Sequence, residues 1–224
     1  VIMDGNGRWA KKKGVKRIFG HQNAIEAVRN VTEGSAELGV QYLTLYAFST
    51  ENWERPKVEV DGLMSLLVGT IKDEIETLQE NNIKLASIGN IDQLPRNAQE
   101  SLRKAKEETR SNTGMELILA LNYSGRWDIL SAVNQLLEEK TDSVNADEFE
   151  KHLSTADYPD PELLIRTSGE MRISNFLLWQ LAYSELFFCN ALWPDFRKKD
   201  LHEAIAAYQR RERRFGKTSD QVKA

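Results

Sequence analysis

Short apolar runs alternate with helix-period patterns along the length of this chain, and that alternation constrains the fold more than any other feature. Tyr42–Phe48, Ile83–Ile88, Met115–Leu121 and Leu163–Ile165 read as buried strands. Leu186–Phe188 is a weaker one, and Val1–Met3 reads as the tail of another. Helices fall between them. The clearest spans Lys57–Gln79, where Val60, Leu63, Met64, Leu67, Val68, Ile71, Ile75 and Leu78 form one apolar stripe behind Pro56. Others run over His21–Leu38 with Gly39 at its end, from Pro95 to Arg110, over Trp127–Glu139 and over Asp200–Arg214; Asn145 with Glu148 reads as a capping box. Strands separated by helices require crossover connections. The expectation is therefore α/β: a mostly parallel central sheet of roughly six strands flanked by helices. No repeat, low-complexity tract or linker interrupts residues 1–224, so they read as a single domain.

In such sheets ligands bind beyond the carboxyl ends of the strands, so chemistry is sought in the loops that follow them. After Val1–Met3 comes Asp4-Gly5-Asn6-Gly7-Arg8-Trp9. The glycines admit a close backbone approach to a ligand. A helix start would aim N–H groups at an anion, and Arg8, Arg17 and His21 would add donors. A carboxylate such as Asp4 inside a phosphate site suits a magnesium ligand. The same Gly-Asn-Gly also fits a plain turn, and it lacks the Gly-Lys-Ser/Thr ending of a Walker loop. Ser49-Thr50-Glu51-Asn52-Trp53-Glu54-Arg55 gathers polar, aromatic and basic groups before the long helix, or simply caps it. Arg166–Asn175 holds two arginines and two serines, a second phosphate cradle. Glu185 is a second carboxylate that reads as a metal ligand or a surface charge.

Net charge is -4 and the isoelectric point about 5.6, which disfavours nucleic acid as a partner. Anion binding must then be local, as in the cluster Arg8, Lys11, Lys12, Lys13, Lys16 and Arg17, with a second cluster at Arg210–Arg214. A single cysteine, Cys189, precludes an intrachain disulfide and suits a reducing compartment. No run is long and apolar enough to cross a membrane, and no signal peptide is legible before Asp4. Two anion cradles, one candidate metal carboxylate and a long apolar stripe would serve two diphosphates and a greasy substrate. By residues alone, a nucleotide-binding enzyme fits about as well.

Longer blocks separate these readings. MDGNGRWA (Met3–Ala10), FGH (Phe19–His21), YAFSTENWERP (Tyr46–Pro56), NYSGRWDI (Asn122–Ile129), IRTSGEMRISNFLLWQ (Ile165–Gln180), YSELFF (Tyr183–Phe188), LWPDF (Leu192–Phe196) and RRFG (Arg213–Gly216) occur in order over the whole chain. In these the chain resembles the cis-prenyltransferases, most closely the bacterial undecaprenyl diphosphate synthases. The Asp-Asp-x-x-Asp motif of trans-prenyltransferases is absent.

The resemblance implies repeated condensation of isopentenyl diphosphate onto farnesyl diphosphate with Mg2+ as cofactor. It also implies a homodimer with the C-terminal segments at its interface, a hydrophobic tunnel, and undecaprenyl diphosphate as the precursor of a cell-wall lipid carrier. A cytoplasmic location follows, with peripheral contact at the inner face of the plasma membrane for product release. By position, Gly5, Asn6, Gly7, Arg8, Arg17 and His21 would hold the allylic diphosphate, and Trp9 would line the mouth. Ser49, Thr50, Glu51, Trp53 and Arg55 would shape the junction between substrates. Arg166, Arg172, Ile173 and Ser174 would bind isopentenyl diphosphate. Asp4 would act in catalysis and, with Glu185, hold the metal. Asn52 would be the proton acceptor, although a neutral amide is a weak base. Met171 departs from relatives with a polar residue there, and a thioether does not ligate magnesium. An Asp4→Ala change is expected to remove most activity and leave the fold intact. The rival is a non-catalytic partner subunit of the same fold; such partners tend to lose the Asp-Gly-Asn-Gly-Arg motif retained here.

Overall fold

The structure is a computed structural model, and it describes residues 1–214, 218, 220 and 221. Phe215 and Gly216 of the RRFG block lie outside the described residues. In chain order the elements are α1 (Asn6–Lys12), α2 (Arg17–Glu37), β1 (Tyr42–Ser49), α3 (Lys57–Asp73), α4 (Ile75–Glu80) and β2 (Lys84–Ile88). There follow α5 (Arg96–Glu108), β3 (Glu116–Tyr123), α6 (Gly125–Glu138), α7 (Ala146–Glu150), β4 (Leu163–Arg166), β5 (Glu185–Phe188) and α8 (Lys198–Gln209).

All pairings are parallel. β3 lies between β1 and β2, and β4 pairs with β5. Ile2 joins the two groups, bridging Tyr46 of β1 and Arg166 of β4. The order across the sheet is thus β2-β3-β1-Ile2-β4-β5. The expected parallel α/β sheet is present, with five strands among the described residues. The sixth is reduced to the single bridging position at Ile2. β3 is buried almost end to end, as a strand covered on both faces must be.

One core holds Val31 and Ala27 of α2, Met64 and Ile71 of α3, Leu102 of α5 and Leu201 of α8 against Leu45, Leu119 and Leu121 of the sheet. The opposite face packs Ile88, Ile118 and Tyr123 against Phe176 and Leu177.

The long helix expected over Lys57–Gln79 is two helices, broken at Glu74, whose φ of -95° and ψ of -4° depart from helical values. Helix α8 ends at Gln209, short of Arg214. The Asn145 side chain caps α7 by accepting from the Glu148 N–H at 3.0 Å. No helix among the described residues is long and apolar enough to cross a membrane.

Candidate active site

Because Ile2 sits between β1 and β4, the chain delivers Asp4 to the carboxyl edge of the sheet, beside the loops that follow both strands. Its backbone is clamped there. The Asp4 N–H donates to Thr167 Oγ1 (2.9 Å), that hydroxyl donates to the Asp4 carbonyl (2.7 Å), and the Trp193 N–H donates to the same carbonyl (3.0 Å). Gly5 then turns with φ +110°; a Cβ there would lie 3.0–3.1 Å from Leu192 and Ser168. The turn starts α1, whose first intrahelical bond is Trp9 N–H to Gly5 carbonyl. The amides of Asn6, Gly7 and Arg8 are therefore not consumed by the helix.

Asp4 Oδ2 accepts from Arg8 (3.1 Å) and Arg166 (2.9 Å). Burial pushes this carboxyl up. Hydrogen bonds from Arg166 and Ser168 and the charges of Arg8 and Arg166 outweigh that, leaving it below the ordinary aspartate range. Arg8 also donates to the Ser168 carbonyl (3.0 Å) and hydroxyl (2.5 Å) and pairs with Glu170 at 2.9 Å. Arg166 is buried. It donates to Ser174 Oγ (2.7 Å) and to the Arg172 carbonyl, while its Nε has no partner. Arg172 pairs with Glu170.

On the α2 side, Asn6 Nδ2 lies 3.3 Å from His21 Nδ1, which makes Nδ1 the acceptor and puts the proton on Nε2. Nε2 is buried without a partner. Burial, then the charges of Arg55 and Arg17, push the His21 pKa down to about 4, so the ring is a neutral donor at ordinary pH. Glu59 pairs with both Arg17 (3.2 Å) and Arg55 (3.1 Å). Asn175 Nδ2 donates to Glu51 (2.7 Å), tying the loop after β4 to the turn after β1. Asn52 Oδ1 accepts the Ser49 N–H at 3.2 Å and so closes that turn.

These groups head a cavity of about 850 Å³. Of the residues singled out in the sequence, Asp4, Gly5, Asn6, Gly7, Arg17, His21, Ser49, Glu51, Asn52, Arg55, Arg166 and Ser174 line it. Its body is apolar: Ala24, Ile25 and Val28 of α2; Leu63, Met64, Leu67 and Ile71 of α3; and Leu117, Leu119 and Leu121 of β3. Val60, Val68 and Ile75 of the stripe pack in the core instead. Arg8 faces an adjoining pocket of about 490 Å³ that shares Asp4, Gly5, Gly7 and Arg17.

Other expected residues lie elsewhere. Trp9 does not line the cavity: its Nε1 donates to Asp195 (2.8 Å), and Lys13 lies 5.7 Å from its ring centroid. Thr50 and Trp53 are off the wall, Trp53 held by Asn122 Oδ1 at 2.8 Å. Arg172 acts through Glu170 and through its carbonyl on Arg166, and Ile173 packs on the second core.

Glu185 is not brought to Asp4 within one chain. It opens β5 opposite Leu163, whereas the level of Ile2 is Arg166 opposite Phe188. At ~3.3 Å per residue it lies about 10 Å toward the amino edge from Arg166, away from Asp4. Within one chain its carboxylate pairs with Arg211 at 2.6 Å.

Sequence reading counted Ser168 among the two serines of the second cradle without giving it a role of its own, and it passed over Glu170. A signal exists only in the backbone: Ser168, Ser174 and Asn175 have φ of 76°, 48° and 58°, a concentration of left-handed non-glycine residues of the kind functional loops hold.

Comparison with known proteins shows what the chain is similar to. A family model described as "Putative undecaprenyl diphosphate synthase" matches residues 2–216. An "Isoprenyl transferase" of Chlorobaculum tepidum is 53% identical over 229 residues, covering 100% of this chain and 86% of that protein. One from Neisseria meningitidis serogroup B is 50% identical over 222 residues, covering 99% and 90%. Among solved structures, lavandulyl diphosphate synthase from Lavandula x intermedia, in complex with dimethylallyl diphosphate, superposes with a TM-score of 0.92 at 36% identity, over 96% of each chain. A probable undecaprenyl diphosphate synthase from Campylobacter jejuni gives 0.80 at 32% identity, over 88% of this chain and 93% of that one.

Proposed function

This chain belongs to the undecaprenyl diphosphate synthase family, the cis-prenyltransferases, and from that premise we propose that it extends farnesyl diphosphate by repeated condensation with isopentenyl diphosphate. The product of this reading is a long cis-polyprenyl diphosphate, undecaprenyl diphosphate, the precursor of a cell-wall lipid carrier. One observation carries it: a single cavity joins a cationic, donor-rich head at the carboxyl edge of the sheet to an apolar body between α2, α3 and β3. The head suits diphosphates and the body a growing hydrocarbon. Each added five-carbon unit gains about 4 kcal/mol by burial, at ~0.8 kcal/mol per methylene-sized group before opposing costs.

The allylic diphosphate belongs on the α1–α2 side, with the Asn6 and Gly7 amides, Arg17 and the His21 Nε2–H. Isopentenyl diphosphate belongs at Arg166 and Ser174, with Arg172 behind them. As the allylic C–O bond loosens, negative charge gathers on the departing diphosphate. Donors fixed beforehand stabilise it without reorganising.

The isopentenyl double bond then attacks the allylic carbon and a proton leaves. Asp4 is a weak base because its carboxyl is held low, and Asn52 spends its acceptor oxygen on Ser49. The departing diphosphate is the better acceptor, and Asn52 shapes the turn.

Magnesium fits the donors present. Asp4 and Glu170 both contact Arg8, and magnesium takes one or two carboxylates together with phosphate and water. When bound, the ion neutralises diphosphate charge. Met171 is 78% exposed, and its thioether offers a hard cation no oxygen donor.

The reading extends to a homodimer, supported by the exposed apolar row Leu130, Val133 and Leu137 on α6. It also extends to peripheral membrane contact for release of a greasy product.

To test it, purified protein receives farnesyl diphosphate and labelled isopentenyl diphosphate, and the label is followed into solvent-extractable lipid. Transfer is expected. Label left entirely in the aqueous phase by a folded protein would contradict the proposal.

A further inference from the structure

Arg29 and Glu74 pair on the wall of the cavity, well away from the diphosphate residues, and we propose that this ion pair is the stop that sets product length. The inference rests on the polyprenyl-synthase reading above. Arg29 lies 12 residues beyond Arg17 on α2, about 18 Å along a helix at 1.5 Å per residue. Glu74 lies 15 residues beyond Glu59 on α3, about 22 Å by the same rise. Arg17 lines the head of the cavity, where Glu59 pairs with it and with Arg55, and the Arg29–Glu74 pair stands about 20 Å further along α2 and just past the end of α3. The wall between them is apolar.

The break between α3 and α4 falls on Glu74 itself. Its carboxylate is gripped by the Arg29 fork, Nε at 3.1 Å and Nη2 at 2.5 Å. The Glu74 side chain is only 14% exposed, and Thr70 and Thr77 line the cavity on either side of it along with Ile71, Leu78 and Leu85.

Along the apolar body each new unit exchanges water for hydrocarbon contact and is favoured. At the pair the exchange reverses. To advance, the chain end must split a two-pronged ion pair and leave a mostly buried carboxylate without its partner, a larger loss than one more unit recovers. Elongation then slows relative to release. A pair that merely staples α2 to the α3–α4 break would not affect product length, and that difference separates the two roles.

The test is the mass distribution of polyprenyl products made from farnesyl and isopentenyl diphosphates. It compares the wild-type chain, an apolar pair (Arg29→Met with Glu74→Leu), a reversed pair (Arg29→Glu with Glu74→Arg) and a neutral hydrogen-bonding pair (Arg29→Gln with Glu74→Gln). The apolar pair is expected to lengthen the longest major product by one or more five-carbon units. The neutral pair should lengthen it less, and the reversed pair should retain the wild-type limit.

An apolar pair that folds and keeps the wild-type limit overturns the proposal. If the apolar pair does not fold, the neutral pair decides: a longer limit supports the stop and an unchanged one overturns it. A wild-type chain that makes no polyprenyl product fails the underlying reading instead, and the stop falls with it.

Discussion

Arg166 Nη2 donates to Asp4 Oδ2 at 2.9 Å across 162 positions of sequence, joining the loop that follows Ile2 to the end of β4. The bond serves binding and folding together. Arg166 is 3% exposed, so Asp4 is the counterion of a buried charge as well as a candidate magnesium ligand.

Asp4→Ala is therefore expected to lower turnover by ~10²-fold or more, a typical loss when one transition-state partner is removed. It should also cost about 2 kcal/mol of stability by leaving Arg166 short of a partner. This amends the expectation from sequence that the fold would be untouched. Turnover and chemical denaturation of the same preparation check both parts, and near-normal turnover would remove Asp4 from the mechanism.

Arg166→Lys keeps the charge and loses the fork. The native side chain divides its donors among Asp4, Ser174 Oγ and the Arg172 carbonyl, a spread that one ammonium cannot reproduce. The KM for isopentenyl diphosphate should rise ~10-fold or more while that for farnesyl diphosphate changes little. Equal rises for both substrates would show that Arg166 does not discriminate between the two sites.

His21 gives a pH signature. Its folded pKa is depressed to about 4 from 6.5. Below pH 6.5 the unfolded chain takes up a proton that the folded chain refuses, so His21 contributes a loss of stability as pH falls from 6.5 toward 4 and nothing above 6.5. The full effect is about 3 kcal/mol at 1.36 kcal/mol per unit. Denaturation of wild type and His21→Gln from pH 7.5 to 4.5 should show a shallower acid decline in the variant. Parallel curves would contradict a buried neutral ring.

Gly20 lets α2 meet the start of α1. A Cβ at this position would lie 2.1 Å from the Asn6 carbonyl oxygen, so the helices must separate. Gly20→Ala is expected to cost about 2 kcal/mol, in the range of overpacked sites, and to weaken farnesyl diphosphate binding because Asn6 and His21 move apart. Calorimetric unfolding and titration with a non-reactive farnesyl diphosphate analogue check the two effects.

The sheet, its parallel sense and most of the site were legible because period and loop chemistry are local. The Asp4–Trp9 and Arg166–Asn175 stretches follow strands, and the residues expected in them to hold diphosphate largely converge. What depended on register was hidden. No local pattern says that Glu185 starts β5 opposite Leu163 rather than standing level with Asp4, or that the Trp9 ring turns to Asp195. Val1–Met3 was legible as the tail of a strand, but its place between β1 and β4, held by the one bridging residue Ile2, was not. The break at Glu74 was hidden as well, since Asp73-Glu74-Ile75 contains no glycine or proline and continues an apolar stripe. No local pattern singles out Arg29 or Glu74 before the helices bring them together.

The most direct measurement is the mass spectrum of the products that purified protein forms from farnesyl and isopentenyl diphosphates, once with magnesium and once with EDTA. The account predicts a series of polyprenyl diphosphates rising in five-carbon steps to a defined upper length, present with magnesium and absent with EDTA. No product beyond the starting farnesyl diphosphate from folded, magnesium-supplied protein, or the same series in EDTA, would contradict it.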